Sequence, residues 1–204
     1  MKKGFIVLSL LVACGFLLSF INNNVTKEIT IGSPIPMADI QMRDVSGKDV
    51  SLNMAKTNKG LLVIFSCNTC PYVVLSEKRI KEITDNCKKQ NVGCIIVNSN
   101  EAQRSEEDSF EEMLKYATIQ KYTCYYAVDA KSQLADAFGA TRTPQCFLFD
   151  SKGLLYKGAI DDNVKDASLA KEHYLTNAIE ALIKNESPKM QETKSIGCTI
   201  KRVE

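Results

Sequence analysis

The stretch that most constrains the fold joins a continuous apolar run to two cysteines and then to an amphipathic segment. Residues 60–65 read GLLVIF, Cys67 and Cys70 follow, and residues 72–89 place apolar side chains at a roughly helical spacing. A short apolar run without alternation is typical of a strand buried on both faces. The amphipathic pattern predicts a helix that begins at the cysteine pair. We therefore expect a buried strand to pass into a helix at Cys67 and Cys70.

Further strands are expected to alternate with helices along the chain. A β-hairpin is predicted within residues 31–52, single buried strands at 92–100 and 123–129, and a second hairpin from 144–150 and 154–160. This order predicts an α/β fold with a central mixed β-sheet, flanked by helices on both faces and extended by the N-terminal hairpin.

The predicted helices carry end signals and inward-facing apolar residues. Asp108 or Ser109 is the expected cap of a helix over residues 108–120, and Gly139 is expected to end a helix that starts at Lys131. The helix over residues 72–89 is expected to face the core with Val74, Leu75, Ile80 and Ile83. A final helix is expected over residues 167–185. Its inward-facing side chains would be Leu169, Tyr174, Leu175, Ala178, Ile179 and Leu182.

The N-terminal residues have the pattern of an export signal. Lys2 and Lys3 precede an almost uninterrupted apolar run from Gly4 to Ile21, and the chain then turns polar. Residues 11–14, LVAC, are similar to a bacterial lipobox, which would imply lipidation at Cys14. A cleaved signal, an uncleaved membrane anchor and a lipoprotein all place the remaining chain outside the cytoplasm, in the periplasm or cell envelope.

Composition and this pattern predict three segments: residues 1–24 as signal peptide or anchor, residues 25–184 as one globular domain, and residues 185–204 as a C-terminal tail that contains Cys198. A formal net charge of +2 gives no reason to expect a nucleic-acid partner. In an oxidising compartment the odd number of cysteines beyond Cys14 leaves at least one that is free or that pairs only transiently or between molecules.

The spacing of Cys67 and Cys70 suits redox chemistry. If the helix begins near Asn68, Cys67 lies at its N-terminus, where unpaired N–H groups and the helix dipole stabilise a thiolate. Cys70, one turn further, can resolve a mixed disulfide formed at Cys67. Pro71 fits early in a helix because its missing N–H costs little there.

Two metal-binding uses of the pair need ligands or a spacing that the sequence lacks. A structural zinc site usually needs four ligands, and the sequence has no second CxxC and only one histidine, His173. Copper delivery in the manner of Sco-like proteins needs a CxxxC and a histidine, whereas the spacing here is CxxC. No metal is therefore expected, and inert structural thiols stay the alternative to a redox pair.

Three segments resemble the thioredoxin-like superfamily, on its AhpC/TSA-redoxin side. They are the hairpin within residues 31–52, the stretch LLVIFSCNTCPYV and the stretch FGATRTPQCFLFDSKGLLYKG. The resemblance covers about residues 30–184 and implies a thioredoxin-like fold. It also implies that Pro144 is the cis-proline of that fold and that Thr143 and Pro144 form the edge that binds substrate. An extended substrate would pair with the backbone of Thr143 there.

The export signal, the CxxC pair and this resemblance together predict an exported thiol–disulfide oxidoreductase, and we expect it to act on the cysteines or disulfides of other exported proteins. Its redox group would be the Cys67–Cys70 disulfide, without another cofactor, and its electron donor is unidentified. The alternatives are a peroxiredoxin-like thiol peroxidase and a non-catalytic binding protein. Peroxiredoxins carry Pro-x-x-x-Thr-x-x-Cys, and neither Cys67 nor Cys70 has the threonine or the proline at the required spacing. The strand before the pair also lacks the buried carboxylate of thioredoxins.

The remaining cysteines have less readable roles. Cys198 is expected to act as a third redox partner, to bond to another chain, or to pin the tail through a disulfide. Cys94 and Cys124 lie in predicted strands, as buried thiols or a bridge, and Cys87 lies near the end of the helix that carries Cys70. Cys146 follows Pro144 closely, so it either approaches the active pair or faces the core.

Overall fold

The computed structural model describes residues 27–203. The predicted signal or anchor segment, with its lipobox and Cys14, lies outside the described residues. Within residues 27–203 no helix has both the length and the apolar character that a membrane crossing requires.

A mixed five-stranded sheet forms the centre of the domain, as predicted. Its strand order is β5-β4-β3-β7-β8, in which β3 is parallel to β4 and β4 to β5, while β7 is antiparallel to both β3 and β8. The N-terminal hairpin of β1 and β2 is also present, and β6 pairs with β9. The strands are β1 Met42–Arg43, β2 Asp49–Val50, β3 Leu61–Ser66, β4 Gly93–Asn98, β5 Tyr125–Val128, β6 Arg142–Thr143, β7 Gln145–Phe149, β8 Leu154–Gly158 and β9 Cys198–Thr199.

Helices cover both faces of this sheet, so the apolar strands are buried on both sides. Ile80, Met113 and Ile179 bring α3, α4 and α6 to one face, and Leu52 and Phe138 bring α1 and α5 to the other. The helices are α1 Leu52–Ala55, α2 Pro71–Val74, α3 Glu77–Lys89, α4 Phe110–Gln120, α5 Gln133–Phe138 and α6 Tyr174–Lys184.

Two helix ends lie where the local signals place them. The hydroxyl of Ser109 accepts the N–H of Glu112 at 3.4 Å and caps α4. Gly139 ends α5 with φ of 65°, and a Cβ at this position would collide with the backbone of Glu28. Only glycine satisfies both the left-handed backbone and the close approach.

The helix after the cysteine pair is broken, whereas the sequence predicts one helix over residues 72–89. It divides into α2 and α3 at Leu75 and Ser76. The buried guanidinium of Arg79 donates to the carbonyl oxygen of Leu75 at 2.9 Å and to the hydroxyl of Ser76 at 3.2 Å, which stabilises the break. As a result Val74 and Leu75 are about half exposed, at 49% and 50%, instead of facing the core.

The final helix is shorter than the predicted span of residues 167–185. The carboxylate of Asp166 accepts the N–H of Ser168 at 2.8 Å and closes a short 3₁₀ turn, so α6 begins only at Tyr174. Leu169 lies before the helix and is 62% exposed, which corrects its predicted inward position. The other predicted core residues of this helix are buried, apart from Tyr174, which packs partly buried against the core.

The C-terminal tail, residues 185–204, lies on the domain over most of its described length. Lys157 in β8 donates its N–H to Gln191 at 2.9 Å, and Thr193 donates back to Lys157 at 3.0 Å. Further along, β9 pairs with β6, and Ile200 is buried in the core. The tail, in which the sequence shows little periodicity, is therefore part of the folded domain in the described residues.

Candidate active site

The two cysteines lie at the carboxyl end of β3, where the chain turns into α2. The helix begins at Pro71 and not near Asn68, so Cys70 is the N-cap residue and Cys67 lies in the preceding loop. The carbonyl oxygen of Cys70 accepts the N–H of Val73 at 2.9 Å. Pro71 occupies the first turn, as the sequence predicts, because its missing N–H is not needed there.

The predicted substrate edge lies directly against the pair. Cys67 Sγ is 3.5 Å from the hydroxyl oxygen of Thr143, and Cys70 Sγ is 3.2 Å from the carbonyl oxygen of Thr143. The peptide bond between Thr143 and Pro144 is cis. All four predicted site residues therefore meet at one place, and the two sulfurs are almost fully buried, with 1% of Cys67 and 4% of Cys70 exposed.

The environment divides the charge of the reduced pair unequally. The interaction with the neighbouring Cys67 thiol lowers the pKa of Cys70 to about 4, against the effect of burial and with help from Cys198 and Thr143. The same interaction, together with burial, raises the pKa of Cys67. A neutral Cys70 would donate to the carbonyl oxygen of Thr143, which favours the thiol, but the donors around its sulfur outweigh this single contact.

The contact between the two thiols therefore favours the thiolate at Cys70 and the neutral thiol at Cys67. The sequence assigned the thiolate to Cys67 on the assumption that the helix begins near Asn68, and that assumption is wrong because Cys70 is the N-cap. The order in which the two sulfurs attack a substrate stays a prediction.

A buried carboxylate supports the loop between the cysteines. Asp108 is fully buried and accepts the N–H of Asn68 at 2.8 Å, the side-chain amide of Asn98 at 2.7 Å and that of Asn100 at 2.8 Å. Its charge contributes to the raised pKa of Cys67. Asp108 thus brings to the site the acid that the β3 strand itself lacks.

From the sequence, Asp108 is predicted only as a possible helix cap. A signal for its role exists in the polar stretch Asn98-Ser99-Asn100 at the end of a buried strand, since parallel strands present their carboxyl ends at one sheet edge. A further contact holds Asn68 in place, because the hydroxyl of Tyr126 donates to its side-chain oxygen at 2.8 Å. Asp108 and Tyr126 thus hold the CxxC loop through Asn68, and Asn98 and Asn100 hold Asp108 in place.

The backbone edge at Thr143 is occupied by the chain's own tail. In the antiparallel pairing of β6 with β9, Thr143 lies opposite Cys198 and Arg142 opposite Thr199. The Cys198 thiol interacts with the Cys70 thiol, and this contact helps to lower the pKa of Cys70. Of the roles predicted for Cys198, the position next to the active pair agrees with a third redox partner.

The other cysteines gather away from the pair. Cys94 interacts with Cys124 and Cys87, and these contacts, with burial, raise the pKa of Cys94 well above its ordinary value. Cys146 is fully buried near Cys87, so it faces the core and not the active pair, and burial raises its pKa. All seven cysteines of residues 27–203 are free thiols, and no group of potential metal ligands occurs among those residues.

A cavity of about 390 Å³ borders Pro144. Ile160 and Tyr174 line it from the domain, and Met190 and Ile196 line it from the tail. The active pair therefore has an adjoining space, partly apolar, that is large enough for a side chain.

Comparison with known proteins gives a family and a set of similar structures. The Redoxin family model matches residues 30–174. A hypothetical protein from Sinorhizobium meliloti 1021 is 31% identical, with a TM-score of 0.77 over 87% of this chain and 97% of that chain. An uncharacterized conserved protein from Geobacillus kaustophilus is 27% identical, with a TM-score of 0.75 over 83% of this chain and 93% of that chain.

A structure of lower sequence identity shares the fold and supports no conclusion beyond it. A putative protein disulfide isomerase from Bacteroides thetaiotaomicron is 18% identical, with a TM-score of 0.52 over 79% of this chain and 91% of that chain. A search of curated proteins finds no match. The similar structures agree with the thioredoxin-like arrangement that the sheet order displays.

Proposed function

This chain belongs to the Redoxin family, whose members carry out thiol-based redox chemistry, and we propose that it is a thiol–disulfide oxidoreductase acting on the cysteines or disulfides of other proteins. The observation that carries the proposal is the meeting of Cys67, Cys70 and the Thr143–Pro144 edge. A thiolate is the form of cysteine that attacks a disulfide, and the pKa of Cys70 is lowered to about 4.

Attack is assigned to Cys70, the reverse of the order expected from the sequence, because the pKa of Cys70 is lowered while that of Cys67 is raised. Its thiolate attacks one sulfur of a partner disulfide, forms a mixed disulfide and releases the other partner sulfur as a thiolate. Cys67 then loses its proton to solvent and attacks Cys70, which closes the Cys67–Cys70 disulfide and releases the reduced partner. The same steps in reverse oxidise a partner dithiol, and the relative reduction potentials decide the direction.

Thr143 and Pro144 are proposed as the edge that receives an extended partner segment. Support comes from β9, which already pairs with Thr143 in an antiparallel manner. Backbone pairing of this kind supplies affinity without selecting a particular sequence. The cavity beside Pro144 offers room for a neighbouring side chain of the partner.

The proposal includes an exported location. It rests on the basic and apolar pattern of residues 2–21 and makes other exported proteins, together with an unidentified electron donor, the partners. The Cys67–Cys70 disulfide holds the transferred electron pair, so no further cofactor is needed for the exchange.

The test compares variants of the pair with a matched cysteine elsewhere. Cys70→Ser is expected to reduce turnover of a model protein disulfide to the rate without enzyme, because the attacking thiolate is lost. Cys67→Ser is expected to stop turnover with Cys70 held in a disulfide, because the thiol that closes the Cys67–Cys70 bond is lost. Cys124→Ser, which changes a half-buried thiol outside the site, serves as the control and keeps its turnover.

Retention of turnover by Cys70→Ser would contradict the proposal. A mixed disulfide trapped through Cys67 in the Cys70→Ser variant would restore the order of attack expected from the sequence. Fast oxidation of the pair by hydrogen peroxide, without any turnover of protein disulfides, would instead favour the thiol peroxidase. A Cys67–Cys70 disulfide that strong dithiols fail to reduce would favour the non-catalytic binding protein.

A further inference from the structure

We propose that Cys198 is a third redox-active cysteine, which exchanges disulfides with Cys70 and carries them between the buried Cys67–Cys70 pair and the partner protein. This inference rests on the proposed function above and assigns the tail a part in the same exchange.

The first support is the register of the tail. Cys198 lies directly opposite Thr143 in the β6–β9 pairing, and Thr143 contacts both sulfurs of the pair. The Cys198 thiol interacts with that of Cys70. Cys198 thus occupies the place that a docked partner cysteine would take, beside Cys70.

The second support is accessibility. Cys67 is 1% exposed and Cys70 is 4% exposed, so a partner disulfide meets either sulfur directly only after the tail leaves Thr143. Cys198 is only half-buried. Among the three thiols, Cys198 is the one that a partner protein meets first.

The third support is the way in which the tail is held. The Arg142 guanidinium donates to the hydroxyl of Thr199 at 2.9 Å, and Lys201 donates its N–H to the side-chain oxygen of Asn100 at 2.9 Å. Ile200 is 3% exposed. Gly197 passes so close to Thr143 that a Cβ there would collide with the Thr143 carbonyl oxygen. These contacts fix Cys198 at the pair instead of leaving it on a loose segment.

The exchange conserves atoms and electrons at each step. Starting from the Cys67–Cys70 disulfide, the Cys198 thiol loses its proton to solvent and its thiolate attacks Cys70. The Cys67–Cys70 bond breaks, the Cys70–Cys198 bond forms, and Cys67 leaves as a thiolate that takes up a proton. A thiolate of a partner dithiol then attacks Cys198 and releases Cys70. The second partner thiol displaces Cys198, so the partner is oxidised by two electrons and the pair is reduced by two.

The first experiment looks for the intermediate in the full chain. The Cys67→Ser variant is treated with diamide, its remaining thiols are blocked, and its peptides are analysed by mass spectrometry without reduction. We expect an intramolecular Cys70–Cys198 disulfide in most molecules and no Cys70–Cys124 disulfide. Adding Gly197→Ala, which pushes the tail away from Thr143 without removing a thiol, is expected to lower the yield by about tenfold, because exchange requires the sulfurs in bonding reach.

The second experiment measures turnover. Cys198→Ser keeps the size of the side chain and is expected to slow turnover of a protein disulfide by at least about tenfold, since the entry thiol is lost. The same variant is expected to form the Cys67–Cys70 disulfide to the wild-type extent. Cys198→Ala is measured in parallel, so that a defect of the serine alone is recognised.

Absence of a Cys70–Cys198 disulfide in Cys67→Ser overturns the relay, as does unchanged or faster turnover of protein disulfides by both Cys198 variants. A faster rate would identify the tail as a barrier to partner binding. Failure of the proposed function has a different signature, because the wild-type chain itself would then turn over no protein disulfide, whether or not Cys67→Ser forms the Cys70–Cys198 disulfide.

Discussion

Two groups of thiols share one apolar core yet differ in chemistry. The front thiols are Cys67, Cys70 and Cys198, and the rear thiols are Cys87, Cys94, Cys124 and Cys146. Cys67 follows the carboxyl end of β3, whereas Cys94 lies at the amino end of the parallel strand β4. The pKa of Cys70 in the front group is lowered to about 4, while the pKa values of Cys94 and Cys146 in the rear group are raised.

Hydrogen-bond donors account for the difference. Around Cys70 the thiols of Cys67 and Cys198 and the hydroxyl of Thr143 stabilise a thiolate. For Cys146 burial is the largest influence, and it favours the neutral thiol. Burial is common to both groups, so it does not mark a reactive cysteine. The ends of strands, where loops bring polar groups together, decide which buried thiol becomes a nucleophile.

The largest expected effect concerns the pH at which thiolate is lost. Because the pKa of Cys70 is lowered, its charged form exists above about pH 4 and disappears as the pH falls through that value. The ultraviolet absorbance of thiolate in the reduced chain should therefore persist from pH 8 to about pH 5, relative to the oxidised chain. An ordinary thiol loses its charge below about pH 8.5.

Matched variants sharpen that titration. Cys70→Ser should remove the absorbance that persists into acid, and Cys124→Ser should leave it unchanged. The contrast between front and rear thiols breaks down if the signal vanishes near pH 8 or survives in Cys70→Ser.

An effect of intermediate size is expected from Asp108→Asn. The side-chain N–H groups of an asparagine at this position would face the N–H groups that now donate to the Asp108 carboxylate. The free energy of unfolding should therefore fall by about 1–3 kcal/mol. Loss of the negative charge should also lower the pKa of Cys67, which Asp108 raises. Chemical denaturation measures the first effect and a thiolate titration the second.

Asp129→Asn is the matched control for the carboxylate. Asp129 is also buried and accepts the N–H groups of Leu134 and Ala135, each at 2.9 Å, at the start of α5. Its replacement should cost similar stability but leave the thiolate titration in place. Equal changes of that titration in both variants would show that Asp108 acts only through the overall stability of the fold.

The smallest effect is expected in the rear group. Cys146→Ala removes one buried sulfur and should lower the free energy of unfolding by about 1 kcal/mol, through lost burial and a small cavity. Turnover of protein disulfides should stay at the wild-type rate. A large loss of turnover with unchanged stability would give Cys146 a role in the chemistry and erase the division between the two groups.

Much of the fold follows from local patterns. The apolar run before Cys67, its counterpart around Ile95 and the hairpin of β7 and β8 were predicted correctly because burial of a strand leaves a periodicity in the sequence. Ser109 and Gly139 mark helix ends through properties of single residues. The meeting of the cysteine pair with Thr143 was predicted by family resemblance.

The predictions that were wrong involve polar contacts that interrupt a helical pattern. Arg79 bonds to Asp161, 82 residues away, and also to the backbone at the break between α2 and α3. The amphipathic pattern of residues 72–89 does not indicate that contact. Leu169 matches the pattern of a helix that the Asp166 turn prevents from extending so far.

By itself the sequence determined most of the strands and helices. It also determined that Cys67 and Cys70 lie between a buried strand and the helix that follows it. Only the tertiary structure decided that the surroundings of Cys70 lower its pKa, that Asp108 supports the loop from 40 residues away and that Cys198 lies opposite Thr143. The reason is physical. Apolar burial repeats along an element and can be read from spacing, whereas a hydrogen bond between distant loops depends on where the folded chain places both partners.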